Sequence, residues 1–222
     1  MTRLGSFRRI SGSNWVTGRY LLPRLVEIGS CTQGVVVDLA CGESPFRGLF
    51  TKCHRYVRVD FFPMDTEVMQ GDMLAIPLES KSVDMVLLFQ AITDVPNPGA
   101  VLKEIRRVLR PGGKLVMYET MSYPEHDLPH DYYRLMPEGL KSLVIEAGLS
   151  CTSICYLGGI FTRFASLLNK YIYSRLLNHV ITRPIGLLIV SCSNIVLYFL
   201  DSLVRSGSTA SDYLAVITSE CQ

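Results

Sequence analysis

Near-continuous apolar runs rich in β-branched residues, separated by stretches of helical period, constrain this chain more than any other feature. VVVD (35–38), YVRVD (56–60), EVMQGD (67–72), VDMVLLF (83–89), KLVMYE (114–119) and CTSICY (151–156) read as strands. A run such as 83–89, apolar at nearly every position, suits a strand covered on both faces, as in a parallel sheet. Between the runs, Val101, Leu102, Ile105, Val108 and Leu109 share one helical face, with Lys103, Glu104, Arg106 and Arg107 opposite. RPGG (110–113) predicts a stop to that helix. A second helix is expected to start at Pro137 and end at Gly148, and a shorter one over 19–28 with Pro23 in its first turn or at a kink. Strand–helix alternation of this kind predicts a doubly wound α/β sheet, whose ligands sit at the carboxyl ends of the strands.

The length of 222 residues suits one core with an appendage rather than two domains. A net charge of +2 gives no case for a nucleic-acid partner. Its distribution is uneven, however: Arg3, Arg8, Arg9, Arg19 and Arg24 precede the first acid, Glu27, and no acid lies between Glu146 and Asp201. Seven cysteines, with no CxxC pair, are expected to be small buried hydrophobes in a reducing compartment, with no metal site. The first fifteen residues lack the apolar region of a secretory signal, so a cytoplasmic location is the expectation.

The loop after the first strand, DLACGESPF (38–46), has an acid at the strand end and then small residues. The G-x-G-x-x-G fingerprint is absent, because Gly42 stands alone there, and this disfavours a nicotinamide-dependent oxidoreductase. Asp60 and Asp72 follow the next two strands. Three carboxylates at successive strand ends suit a ligand with hydroxyls, an amino group and a positive centre better than a polyanion.

Four blocks, VVVDLACGESPF, YVRVDFF, GDMLAIPLESKSVDMVLLFQ and VLKEIRRVLRPGGKLVMYE, resemble the class I S-adenosylmethionine-dependent methyltransferases in order and spacing. The resemblance covers roughly residues 30–156. It implies a Rossmann-like, doubly wound, mostly parallel seven-stranded sheet, with a helical insertion before the last strand and S-adenosylmethionine as cofactor. By the same resemblance, Ala40, Cys41 and Gly42 let the backbone approach the cofactor and Asp38 lies near its methionine amino group. Asp60 would hold the ribose hydroxyls, Asp72 and Met73 the adenine, and Gln90 would border the transferred methyl. The chain is then one methyltransferase domain over 1–222: an N-terminal helical cap (1–34), a cofactor-binding core (35–156), an apolar, basic insertion (157–211) and a final strand (212–218).

YPEHDLPHDYYRLMPEGLKSLVIEAGL (123–149) resembles a subgroup found in bacterial cell-surface polysaccharide clusters, which implies a hydroxyl on a sugar, glycan or lipid-linked acceptor. His126, His130 and Asp131 are the candidate catalytic residues, since an alcohol must lose a proton as it is methylated. The family often carries Glu-His before a Val-Pro; here Thr93 and Asp94 occupy those places, and Met136 stands where a Thr would cap a helix better. These departures leave a second reading open, a degenerate S-adenosylmethionine-binding or scaffold protein without methyl transfer.

PIGLLIVSCSNIVLYFL (184–200) is uncharged. A single membrane span is improbable there if DYLAVIT (212–218) rejoins the sheet. Three roles remain open for 157–211: helices over the active-site mouth, a dimer interface, or a peripheral contact with the inner face of a membrane.

Overall fold

A computed structural model describes residues 3–126, 128–177, 180–204 and 207–220. Cys221 and the side chain of Arg3 lie outside the described residues. The helices are α1 (Arg3–Arg8), α2 (Trp15–Cys31), α3 (Pro98–Val108), α4 (Pro137–Glu146), α5 (Ile160–Leu176) and α6 (Arg183–Val204). The strands are β1 (Val35–Leu39), β2 (Arg55–Asp60), β3 (Val68–Gln70), β4 (Val83–Phe89), β5 (Leu109–Thr120), β6 (Leu149–Leu157) and β7 (Asp212–Ser219). Residues 27–155 and 213–222 form one compact unit, and residues 1–26 and 156–212 form another.

The seven strands form one sheet in the order β3-β2-β1-β4-β5-β7-β6. The β1–β2, β1–β4, β2–β3 and β4–β5 pairs are parallel. Order reverses between β1 and β4, which puts the crevice of a doubly wound sheet at the ends of β1 and β4. On the far edge, Ser150 Oγ meets Glu220 Oε1 and Thr152 Oγ1 lies 2.6 Å from Thr218 Oγ1. The two pairs run in opposite chain directions, so β7 lies antiparallel to β6. DYLAVIT does rejoin the sheet.

The helix read over 101–109 forms as α3 and buries Val101, Leu102, Ile105 and Val108, but ends there, and Leu109 opens β5 instead. Asn97 caps α3 by accepting the Ala100 N–H at 3.0 Å, and Pro98 takes the first turn. RPGG is not a stop before the strand, as its turn chemistry suggests, but part of it. Val83 pairs with Leu109 and Met85 with Lys114, so β5 advances five residues where β4 advances two. Arg110–Gly113 bulge out of the ladder, with Gly112 at φ 76°. α2 also exceeds the 19–28 expectation, with Pro23 well inside it. Val16, Leu21 and Leu25 are buried while Pro23 is exposed. The proline's missing N–H therefore leaves its carbonyl partner, that of Arg19, on the solvent side.

α4 starts at Pro137 as expected; Met136 provides no side-chain cap, and Gly148 turns the chain at φ 70°. The described cysteines are all free, but only Cys41 is buried; Cys31 and Cys192 are exposed. In the second unit, α6 holds the uncharged stretch. Among the described residues it is the helix long and apolar enough to cross a membrane.

Candidate active site

The loop from β1 is built from left-handed backbone: Ala40 (φ 53°), Gly42 (φ 49°) and Ser44 (φ 47°) all lie there. Two of these are not glycine, and non-glycine residues in this region carry strain that the surrounding structure must hold in place. Three contacts do so. Cys41 N–H donates to Val59 O at 3.2 Å, Ser44 N–H to Cys41 O at 2.7 Å, and Gly42 N–H to Asp60 Oδ2 at 2.8 Å.

Asp60 closes β2, and its Oδ1 accepts the Phe62 N–H at 2.9 Å. Each carboxylate oxygen thus spends one acceptor site on the backbone and retains a second lone pair for ligand hydroxyls. Phe61 follows it, 56% exposed, with its ring packed edge-on to Phe62 at 4.9 Å. Arg58 holds the next stretch by a two-pronged pair with Asp65 (3.0 and 2.9 Å) and a contact with Glu67 at 3.0 Å.

Asp38 does not lie open at its strand end. It is 5% exposed and accepts a 2.9 Å hydrogen bond from Tyr56 Oη. Burial pushes its carboxyl up to about 6, against the pull of the Tyr56 hydroxyl. Asp72 follows β3, where its Oδ1 accepts the Leu74 N–H at 2.8 Å and its carbonyl the Ala75 N–H at 3.0 Å. Met73 is half-buried in this turn. Gln90, just past β4, is exposed and left-handed at φ 54°. Its N–H donates to Tyr118 O at 2.8 Å.

The loop between β5 and α4 is organised by Arg134. Its guanidinium grips both Asp131 oxygens and donates to the carbonyls of Tyr123 (3.0 Å), Pro124 (3.2 Å) and Tyr133 (2.7 Å). That grip holds the Asp131 carboxyl well below the usual carboxylate range. Asp131 Oδ2 accepts the His126 N–H at 3.0 Å and lies 3.3 Å from His126 Nδ1.

The loop is pinned to the segment after β4. Tyr132 N–H donates to Thr93 O at 3.1 Å and Tyr133 Oη to Pro96 O at 2.9 Å. As a result Asp94, His126 and Asp131 present side-chain atoms within 4.8 Å of one another. A cation there would have to displace the Arg134 guanidinium from Asp131, so the arrangement favours an ion pair over a metal centre. His130 stands outside this network, exposed, with Nδ1 3.5 Å from Tyr132 Oη.

Glu119, near the end of β5, was not singled out among the sequence candidates. It is 1% exposed, and its Oε1 has no hydrogen-bond partner among the described residues. Burial, with the Asp94 charge adding to it, raises its carboxyl to about 8, while the N–H groups of Ala91, Gln90 and Ile92 oppose the shift. Only its place at a strand end hinted at it, because a strand pattern does not reveal which acid is buried.

The donor set fits S-adenosylmethionine. The Asp60 carboxylate can accept from a ribose diol, the Asp72 turn can meet an adenine amine, Phe61 can cover a base, and the acidic strand ends suit a sulfonium and an ammonium.

Comparison with known proteins agrees. Residues 37–117 match the family model for a methyltransferase domain. A protein of Mycobacterium tuberculosis, named a probable S-adenosylmethionine-dependent methyltransferase, is 32% identical over 144 residues, covering 56% of this chain and 52% of its own length. The demethylmenaquinone methyltransferase of Lactococcus lactis is 45% identical over 58 residues, or 26% of this chain and 23% of that enzyme. These matches span between 23% and 52% of the relatives' lengths. The Haemonchus contortus phosphoethanolamine N-methyltransferase 2, solved with S-adenosyl-L-methionine, superposes with a TM-score of 0.57 at 16% identity, covering all of this chain and 61% of that one. Residues 37–117 thus match a methyltransferase-domain model, and the sheet order resembles that of S-adenosylmethionine-dependent methyltransferases.

Proposed function

We propose that the chain transfers a methyl group to a hydroxyl of a sugar, glycan or lipid-linked acceptor. The supporting observation is the placement of His126 beside Asp94, at the carboxyl end of β4. In many members of the resembled family a histidine occupies the position that Asp94 takes here; in this chain an imidazole reaches the same region from the loop after β5.

The bound cofactor supplies an electrophilic methyl carbon on a sulfonium sulfur. The protein's part is alignment, exclusion of water and removal of one proton. His126 Nδ1 lies 3.3 Å from Asp131 Oδ2 and 3.5 Å from Arg134 Nη2; in the tautomer that turns its N–H toward Asp131, the lone pair is on Nε2. Nε2 would then accept the acceptor's hydroxyl proton, and the methyl group gained by the oxygen would come from the cofactor's sulfonium, whose C–S bonding pair would stay on sulfur in the thioether product. Asp94 stabilises the imidazolium that results, and Arg134 and Asp131 hold the ring in place.

The test is transfer of label from methyl-tritiated S-adenosylmethionine to fractionated glycan and lipid-linked acceptors. Label in an alkali-stable ether on a sugar carbon supports the reading. Label in a base-labile ester or an amine overturns the hydroxyl assignment. Tight cofactor binding without transfer to any fraction supports the scaffold reading instead.

A further inference from the structure

The polarity of the α5–α6 hairpin is inverted. A helix on a soluble protein buries its apolar stripe and shows water its polar one. Here the inward stripe holds Thr162, Asn169, Asn194 and Asp201, all 0% exposed. Asn169 Nδ2 donates to Asn194 Oδ1 at 2.8 Å, and Asn194 Nδ2 to the carbonyls of Ile10 (2.7 Å) and Gly12 (3.0 Å). Asp201 accepts from Thr162 Oγ1 at 2.9 Å and from the N–H groups of Phe161 and Thr162. The outward stripe is apolar: Phe164, Leu167 and Tyr171 on α5, and Ile185, Leu188 and Phe199 on α6. Between the helices, Val180 and Ile181 are 88% and 90% exposed. Ala165, Ile172 and Val190 are buried beside the inward polar side chains, but a buried polar stripe with large apolar residues outside is the arrangement of helices that sit in lipid.

Charge selects the occupant of that face. Residues 1–26 and 156–212 carry ten arginines and lysines against two aspartates, Asp201 and Asp212, and both aspartates are buried. Arg175 and Arg183 are exposed on either side of the hairpin turn, with Arg175 5.9 Å from the Tyr171 ring centre. A second copy would bring the same positive charge to the contact. An anionic lipid surface complements both the charge and the apolar area.

We infer that the α5–α6 hairpin lies in the interface of an anionic bilayer, with its outward apolar stripe toward the acyl chains and Arg175 and Arg183 at the headgroups. The connectivity fits a one-sided contact, because the chain enters the hairpin from β6 and leaves it into the neighbouring strand β7. This contact goes beyond methyl transfer and does not depend on it.

The test is flotation of the full chain with vesicles of phosphatidylcholine alone and of phosphatidylcholine mixed with phosphatidylglycerol. The mixed vesicles should carry the protein upward and the neutral ones much less. Arg175→Glu with Arg183→Glu should weaken partitioning into the mixed vesicles at least about tenfold. Leu188→Glu with Phe199→Glu should abolish it. All four positions are exposed, and an unchanged melting curve would show that the variants fold. No flotation with either vesicle, or flotation that neither pair of substitutions reduces, overturns the inference. So does a stable dimer, broken by Leu188→Glu, in a protein that ignores vesicles. None of these readouts involves catalysis, so they stand whether or not the methyl acceptor is a hydroxyl.

Discussion

Asp60 Oδ2 accepts the Gly42 N–H at 2.8 Å, so one carboxylate ties the strained β1 loop to the end of β2. We assign the same group to the ribose hydroxyls of the cofactor. Asp60→Ala removes the tie and the acceptor together, and hydrogen bonds to charged groups are worth about 1.5–3 kcal/mol each. The dissociation constants of S-adenosylmethionine and its demethylated product should both rise by at least about tenfold in calorimetry. Equal affinity in wild type and variant would remove Asp60 from the cofactor site.

Gly71 links this corner to the turn that carries Asp72. Its N–H donates to Asp60 O at 3.0 Å, and a Cβ there would lie 2.6 Å from Pro77 Cδ and 2.8 Å from Val59 Cγ1. Neither neighbour is the far end of a flexible chain, so the turn carrying Asp72 must shift. Gly71→Ala should lower unfolding stability by about 1–3 kcal/mol in urea titration and weaken cofactor binding with it. A variant as stable as wild type would mean that the turn moves freely.

His126 and Asp94 lie 32 residues apart in the chain. His126→Ala should lower kcat by about a hundredfold or more, the usual span for a lost general base. Cofactor affinity should stay within a factor of about three if, as proposed, His126 serves the acceptor hydroxyl. If KM for cofactor rises while kcat holds, His126 serves binding rather than proton removal.

How much of this was legible beforehand depends on the distance over which each feature is determined. β1 and β4 announced themselves because a strand buried on both faces needs apolar side chains at successive positions. α3 was equally plain, since its buried face repeats at helical spacing and Asn97–Pro98 supply a cap and a first turn. RPGG misled because its local turn chemistry is real, but pairing of Leu109 with Val83 and Lys114 with Met85 absorbs it as a bulge. Pro23 misled for a similar reason: the burial of Leu21 and Leu25 carries the helix past it. The strand-end acids could be found from the strands that present them. The approach of His126 to Asp94, the burial of Glu119 and the inverted faces of α5 and α6 depend on tertiary contacts that no local pattern encodes.

Glu119 gives a pH dependence with a definite sign. Its ordinary value near 4.5 applies in the unfolded chain, and in the fold it is raised to about 8. Between these values the folded state binds the extra proton, so this group's contribution to stability is complete below about 4.5 and is lost as pH rises toward about 8. The slope for one proton is about 1.4 kcal/mol per pH unit at its steepest. Glu119→Gln should remove that slope, so the variant gains on wild type as pH rises from 5 to 8 in paired thermal melts. Parallel stability curves would show that Glu119 titrates alike in both states.

Arg134 tests whether the loop over the β4 end is held by charge alone or by geometry. Its guanidinium donates to the two Asp131 oxygens and the carbonyls of Tyr123, Pro124 and Tyr133, and lies 3.5 Å from His126 Nδ1. A lysine keeps the charge but is a point donor that cannot span them. Arg134→Lys should therefore resemble Arg134→Ala: amides of 123–134 exchange faster and kcat falls, while cofactor affinity holds. The folded Asp131 carboxyl is also lowered by this grip, so its contribution to stability is present above its ordinary value near 3.8 and is lost on acidification. Both Arg134 variants should flatten that acid limb. Rescue of exchange protection and kcat by lysine would show that positive charge alone orders the loop, leaving His126 positioned by something other than the fork of Arg134.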